Sequence, residues 1–452
     1  MNVSVVGLGK LGSPLATVLA SAGHSVMGVD TNERVVAMLA SGISPVPEPG
    51  LQELLDANCE RLTATTSLDE AIAGTELTCV IVPTPTGSNR EFSLEFLLPA
   101  VTSIGKALRA KRTRHVVVIT STVMPGQTDG PIQETLETAL GEPLGSRVGL
   151  CYNPEFIALG SVIRDMQRPD LVLIGSSHSW AADIVERLAG SFCESDPFVA
   201  KLATIDAEIA KLAVNTFVTT KISYANMIAE ICERLPGANA SAVTEAIGHD
   251  RRIGGEYLRP ATAYGGPCFP RDNVALTALA ERLGARAEIA RATHATNEHQ
   301  ITRLVDLVER SAAAGATVAV LGLSYKPGTP VIEVSAGVSL AHALSGHGFR
   351  VRVFDPEALE QVGRDLETSA HVTASLEEAV FGADVVVIAT AWPQFAGLDP
   401  QTMLADCGSG PKTIIDCWGL LEAANVPKGI ELVRIGFGDR VLPVSTSAAP
   451  EA

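Results

Sequence analysis

Residues 263–272 read AYGGPCFPRD, and they place a thiol, Cys268, in a stretch too rich in glycine and proline for helix or strand. Arg271 and Asp272 follow within four residues. Such a loop either raises a nucleophile toward a substrate or carries an ordinary thiol near a turn, and with eight cysteines in the chain this stretch alone leaves both readings open. As a nucleophile, the thiolate would add to a carbonyl carbon, and Arg271 beside it would favour the ionised form. Lys211 and Asn215 form a second chemical pair. They lie four apart in a helical stretch and so share one face, where a lysine and an amide can hold negative charge developing on an oxygen. Taken alone, the pair reads equally well as a solvated lysine and amide.

The third constellation binds rather than reacts. Gly7, Gly9 and Gly12 form GxGxxG between an apolar run and a helical one, and Asp30 ends the next apolar run 23 residues after Gly7. The first glycine permits the tight turn, the second lets a pyrophosphate approach the backbone, and the third lets helix and strand pack closely. The helix N-terminus then faces the phosphates. A carboxylate at Asp30 would accept hydrogen bonds from the adenosine ribose and repel a 2′-phosphate, favouring NAD over NADP, although Arg34 follows one turn later.

These groups need a scaffold, and the pattern supplies one. VSVVGLGKLGSPLATVLASAGHSVMGVD (3–30) reads as strand, glycine turn, helix, strand, and LTCVIVPTP (77–85), HVVVITSTV (115–123), VGLCYNPE (148–155) and DLVLIG (170–175) continue as buried strands entering polar turns. Residues 201–235 are apolar at helical spacing up to PGAN and predict one long helix. From ATVAVLGLSYKPG (316–328) the alternation restarts, with RVRVFDP (350–356), ADVVVIATAW (383–392) and KTIIDCWG (412–419) as further strands. The predicted fold is therefore α/β, two Rossmann-like doubly wound parallel sheets joined by a long central helix. The domains run 1–200, 201–310 and 311–440, with a disordered tail over 441–452. The second sheet opens on Gly322, but GLSYKPG is not GxGxxG and Asp355 lies 33 residues on, so a related fold without a second dinucleotide site is expected. Lys326 there either serves a phosphate or is solvated.

Composition sets limits. The 452 residues suggest about three domains and carry a net charge of −17, which argues against nucleic acid or an anionic membrane as partner. No run approaches a membrane helix, and with a strand-like run opening the sequence no signal peptide is expected. The cysteines show no CxxC, so a zinc site or disulfide framework is not expected and no metal is assigned. The expected compartment is the reducing cytoplasm.

Taken together, VVGLGKLG, EPGL (48–51), VPTPTG (82–87), TSTVMPG (120–126), NPEF (153–156), AKLAVNTF (210–217), GGPCFPRD (265–272) and GLSYKP (322–327) resemble the UDP-glucose/GDP-mannose 6-dehydrogenase family, in the family's order and over nearly the whole chain. The resemblance implies four-electron oxidation of a nucleotide sugar's C6 alcohol to a carboxylate, two NAD being reduced. It implies Cys268 as nucleophile, Lys211 and Asn215 as holders of oxyanion charge, Asp272 and Thr122 as partners of a catalytic water, and Glu155 as the carboxylate of water activation. Cofactor contacts carry over to Gly7, Leu8, Gly9, Lys10, Leu11, Gly12, Asp30, Arg34, Pro83, Thr84, Thr122 and Arg271. Substrate contacts carry over to Glu155, Phe156, Ile157, Lys211, Asn215, Tyr257, Arg259, Gly265 and Lys326, and to Arg252, which would reach a neighbouring subunit's substrate in a homodimer or higher oligomer. UDP-glucose is the first substrate implied. A UDP-N-acetylhexosamine or GDP-mannose is the alternative, as is a two-electron alcohol or hydroxyacid dehydrogenase that would not need Cys268. Three positions depart from the family pattern. Leu159 stands where the family has a glutamate. Pro330, Val331 and Glu333 replace an acidic pair and an arginine, and Trp418 replaces the arginine of an Asp-x-Arg motif.

Overall fold

The computed structural model describes residues 1–398 and 412–438, so the tail expected over 441–452 lies outside the described residues. The chain divides into two compact units, Met1–Val214 with Ala278–Ala285, and Asn215–Thr277 with Arg286 onward.

The first unit is built on eight strands: β1 (Asn2–Val6), β2 (Ser25–Val29), β3 (Leu62–Thr65), β4 (Leu77–Val80), β5 (His115–Ile119), β6 (Val148–Tyr152), β7 (Leu171–Gly175) and β8 (Phe198–Leu202). Their order is β3-β2-β1-β4-β5-β6-β7-β8. Strands such as β5, HVVVI, are buried at every position, because helices cover both faces of the sheet. Gly12–Ser21 and Ser179–Phe192 pack one face, and Leu97–Leu108 and Gln133–Leu140 the other. The expected all-parallel sheet needs one correction. Strand β7 runs antiparallel to β6 and meets it only at Tyr152 and Gly175. The connection between them holds one helix of six residues, Val162–Gln167, and is otherwise spent on the loop that carries Glu155. A second difference is β8. Residues 198–202 pair with β7 as the sheet's edge, so the predicted 201–235 helix begins at Thr204 and ends at Glu233.

In the second unit β9 (Thr317–Leu321), β10 (Arg350–Phe354), β11 (His371–Val372), β12 (Val385–Ile388), β13 (Thr413–Asp416) and β14 (Glu431–Arg434) form a parallel sheet ordered β11-β10-β9-β12-β13-β14. The helices Glu288–Ser311 and Ala336–Gly346 share the core on one face.

The helix Thr204–Glu233 has reversed amphipathicity. At 3.6 residues per turn, Ile205, Ile209, Phe217, Tyr224, Met227 and Ile231 fall within a stripe about 120° wide, and all six are exposed. Glu208, Lys211, Asn215, Thr219, Asn226 and Glu233 fall on the other side, and all six are buried. An apolar side chain gains little by facing water, and a buried polar one must find partners.

Candidate functional site

The glycine turn has the shape of a dinucleotide cradle. Gly7 takes φ +95°, and a Cβ there would meet the Ile81 carbonyl at 2.7 Å. A Cβ on Gly12 would meet the Gly7 carbonyl at 1.7 Å, whereas one on Gly9 would meet nothing within 4 Å. The middle glycine therefore faces open space, as a pyrophosphate bound on the backbone requires. Asp30 accepts from the Leu8 amide at 2.7 Å and from the Asn32 amide at 2.8 Å, tying the turn to the end of β2. Leu8 itself is fully buried, so only its backbone faces the turn, while Lys10 and Arg34 are exposed and Leu11 half-buried. These residues fit NAD.

The strand-end loops of the first unit interlock. The Thr84 hydroxyl donates to the Thr122 carbonyl at 2.7 Å, so Thr84 fixes the turn that carries Thr122, and Pro83 beside it is exposed. Farther along that turn, the buried Glu208 carboxylate accepts from the Gly126 amide at 2.6 Å and the Thr128 amide at 2.8 Å. The loop after β6 carries Glu155, Phe156 and Ile157, all half-buried. Lys211 donates to the Glu155 carbonyl at 2.6 Å and lies 4.2 Å from the centroid of the Phe156 ring. Burial lifts the Glu155 carboxyl to about 7, and the Lys211 ammonium draws it partly back. The far end of this loop is held by Glu48 of EPGL, which accepts from the Gly160 and Val162 amides at 2.8 and 2.7 Å. Leu159 packs against the apolar core there.

The second unit holds the thiol. Cys268 is exposed and takes part in no disulfide. It immediately precedes the helix Phe269–Arg282, whose N-terminal amides carry partial positive charge. The Asp272 amide donates to the Cys268 carbonyl at 2.9 Å, and the buried Asp272 carboxylate accepts from Asn215 Nδ2 at 2.6 Å. Arg271 stands 3.7 Å from the same carboxylate. The chain itself packs against the glycines before the thiol. A Cβ on Gly265 would meet the Val334 carbonyl at 2.1 Å, and one on Gly266 would meet the Tyr325 ring at 2.7 Å. Tyr257, at φ +61°, stands edge-on to Phe269.

Other predicted residues are more scattered. Arg252 forms an exposed ion pair with Asp250, and Lys326 is half-buried. Arg259 donates to the Trp418 carbonyl. The Trp418 indole donates to the Ala389 carbonyl at 2.8 Å, and its ring walls a cavity of about 720 Å³ with Arg259, His249 and Arg434. Asp355 is buried, and its oxygens accept from the Leu323, Ser324, Glu357 and Ala358 amides, the Ser324 hydroxyl and the Trp392 indole. Among the described residues, no three His, Cys, Asp or Glu side chains are placed to hold a metal, and no helix is long and apolar enough to cross a membrane.

Sequence reasoning missed Glu208, Asn226 and Asn297. For the first two a signal existed: polar residues at 208, 211, 215, 219, 226 and 233 recur at helical spacing.

Comparison with known proteins agrees along the whole chain. The UDP-glucose/GDP-mannose dehydrogenase family matches over its NAD binding domain at residues 1–192, its central domain at 205–299 and its UDP binding domain at 319–423. The UDP-glucose 6-dehydrogenase AglM of Haloferax volcanii is 36% identical over 405 residues, covering 89% of this chain and 94% of that one. GDP-mannose 6-dehydrogenase of Azotobacter vinelandii is 32% identical over 448 residues, covering 95% and 100%. A UDP-glucose dehydrogenase structure from the archaeon Pyrobaculum islandicum matches with a TM-score of 0.87 at 33% identity, covering 96% and 97%. The cradle and these matches define the class first: an NAD-dependent oxidoreductase. Within that class, the chain belongs to the UDP-glucose/GDP-mannose dehydrogenase family and is a nucleotide-sugar 6-dehydrogenase.

Proposed function

We propose that the protein oxidises the C6 alcohol of UDP-glucose to the carboxylate in two hydride transfers, through a thioester on Cys268. The observation that carries this reading is the exposed thiol at a helix N-terminus, backed by the Asn215–Asp272 hydrogen bond. NAD, held by the Gly7–Gly12 turn and Asp30, supplies the hydride acceptor in both oxidations.

The chain's residues divide the remaining work. Asp272 and Thr122 order the water that takes the alcohol proton as the first hydride leaves C6, giving an aldehyde. The Cys268 thiolate then adds to that carbon. The carbonyl electron pair becomes an alkoxide, which Lys211 and Asn215 hold. Loss of a second hydride collapses the alkoxide to a thioester. Glu155 takes a proton from water as its oxygen attacks, the C–S bond breaks, and the thiolate returns. Each sugar loses two hydrides and gains one water oxygen. Arg271 serves the cofactor, and Phe156, Ile157, Tyr257, Arg259, Gly265 and Lys326 serve the nucleotide sugar. The exposed apolar stripe on Thr204–Glu233 supports a homodimer, in which Arg252 reaches the neighbouring substrate.

The test is NADH formed per sugar consumed, over UDP-glucose, UDP-N-acetylhexosamines and GDP-mannose. The expected result is two NADH per UDP-glucose, with Cys268→Ser binding NAD normally but forming no net acid. One NADH with trapped aldehyde would leave a two-electron dehydrogenase. Full acid production by Cys268→Ala would overturn the covalent step.

A further inference from the structure

We propose that Asn226 and Asn297 are positioning residues for the Cys268 thiol, acting through the backbone of the loop that carries it. The inference rests on the reading of Cys268 as nucleophile. Asn226, on the helix Thr204–Glu233, accepts from the Ala261 amide at 2.8 Å and donates to the Thr262 carbonyl at 3.2 Å. Asn297, on the helix Glu288–Ser311, accepts from the Tyr264 amide at 2.7 Å and donates to the Tyr264 carbonyl at 3.0 Å. Both asparagines are buried, at 1% and 6% exposure.

The reason lies in the loop's composition. Pro260 and Pro267 lack amide hydrogens, and Gly265 and Gly266 weaken any extended run, so this segment cannot join a sheet. Yet Ala261, Thr262 and Tyr264 are buried, and buried backbone groups must be paired. A side-chain amide can present an N–H donor and a C=O acceptor side by side, as a peptide group does. Each asparagine thus supplies what a neighbouring strand supplies elsewhere. Downstream of the thiol, Asn273 donates to the Phe269 carbonyl at 3.0 Å and to Thr219 Oγ1 at 2.8 Å. The exposed sulfur therefore stands between two backbone stretches held by buried amides, neither of which needs to touch substrate.

The test uses Asn226→Ala, Asn297→Ala and the double variant. Since a displacement of about 1 Å can cost roughly 10²-fold in rate, kcat for acid formation should fall by about that factor. KM should change far less and NAD affinity not at all. The rate of Cys268 alkylation by iodoacetamide, followed on its peptide by mass spectrometry, should move toward that of an unstructured cysteine peptide. Folded variants with wild-type kcat and alkylation would overturn the proposal. So would an equal loss of NAD affinity, which would mark the asparagines as general packing residues. Hydrogen exchange on the unmodified enzyme decides the case even if the variants do not fold. The Ala261 and Tyr264 amides should exchange as slowly as buried helical amides, and exchange at open-loop rates would refute the clamp. Alkylation and exchange report on the loop independently of turnover. An active Cys268→Ala would therefore defeat the nucleophile reading without being mistaken for failure of the clamp.

Discussion

On the proposed thioester route, replacing Lys211 with methionine should move the acid limb of thioester hydrolysis to higher pH. Glu155 is the reason. Burial lifts its carboxyl to about 7, and the Lys211 ammonium is the group that opposes the rise. The base form populates above that value, so hydrolysis should strengthen as pH rises. With a midpoint near 7 the ionised fraction is about 0.09 at pH 6 and about 0.91 at pH 8, an expected gain of roughly tenfold across that span. Removing the ammonium leaves burial unopposed, and the midpoint must climb. Methionine keeps an apolar stem one atom shorter and gives up the ammonium's contact with the Phe156 ring. The assay is a single-turnover measurement. The thioester is accumulated at low pH, the pH is jumped, and release of acid is timed. Wild type should show the limb near neutrality, Glu155→Gln should lose it, and Lys211→Met should display it displaced to alkaline pH on a lower plateau. A limb that moves toward acid in Lys211→Met, or that persists in Glu155→Gln, would refute the reasoning.

Three other outcomes can be checked. Asp30→Asn should weaken NAD about tenfold, the scale of one hydrogen bond to a charged group, and relax discrimination against NADP; titration calorimetry showing unchanged affinity for both would remove Asp30 from the ribose site. Phe217→Asp changes a side chain 67% exposed, so it should leave the fold intact and lower the mass seen by light scattering to that of a monomer; an unchanged mass argues against this stripe as the interface. Glu208→Ala orphans two backbone amides and should cost roughly 3 kcal/mol in urea unfolding, with a loss below about 1 kcal/mol counting against the clamp on the Thr122 turn.

Legibility in the sequence tracked the distance between partners. Gly7, Gly9, Gly12 and Asp30 could be read because a single βαβ unit holds them all within 24 residues. Lys211 and Asn215 could be paired by helical spacing, but their partners could not, since Glu155 and Asp272 lie 56 and 57 residues away. The partners of Asn226 and Asn297 were invisible for a further reason. Both asparagines bind backbone, and backbone leaves no trace in residue type. The long helix was legible as a helix, but the assignment of its faces was not. Six of its large apolar residues face outward, and Glu208, Lys211, Asn215, Thr219, Asn226 and Glu233 face in. Edge strands β3 and β8 escaped notice because they are partly exposed, without the apolar run that marked β5.

Asp30 and Asp355 carry one more lesson. Each ends the second strand of its sheet's first βαβ unit, and each accepts from the amide just after the first glycine, Leu8 in one case and Leu323 in the other. Even the close helix contact recurs. A Cβ on Gly337 would meet the Gly322 carbonyl at 2.0 Å, as Gly12 meets Gly7. The acid is thus a staple of the architecture before it is a recognition element, and a sugar can be recognised only with the acceptor capacity that folding leaves over. Asp355 has none to spare. An engineer wishing to convert the second sheet into a cofactor site would gain nothing by restoring glycines. The first task would be to remove Ser324 and Trp392 as donors, and the strand-end turn would then have to survive their loss.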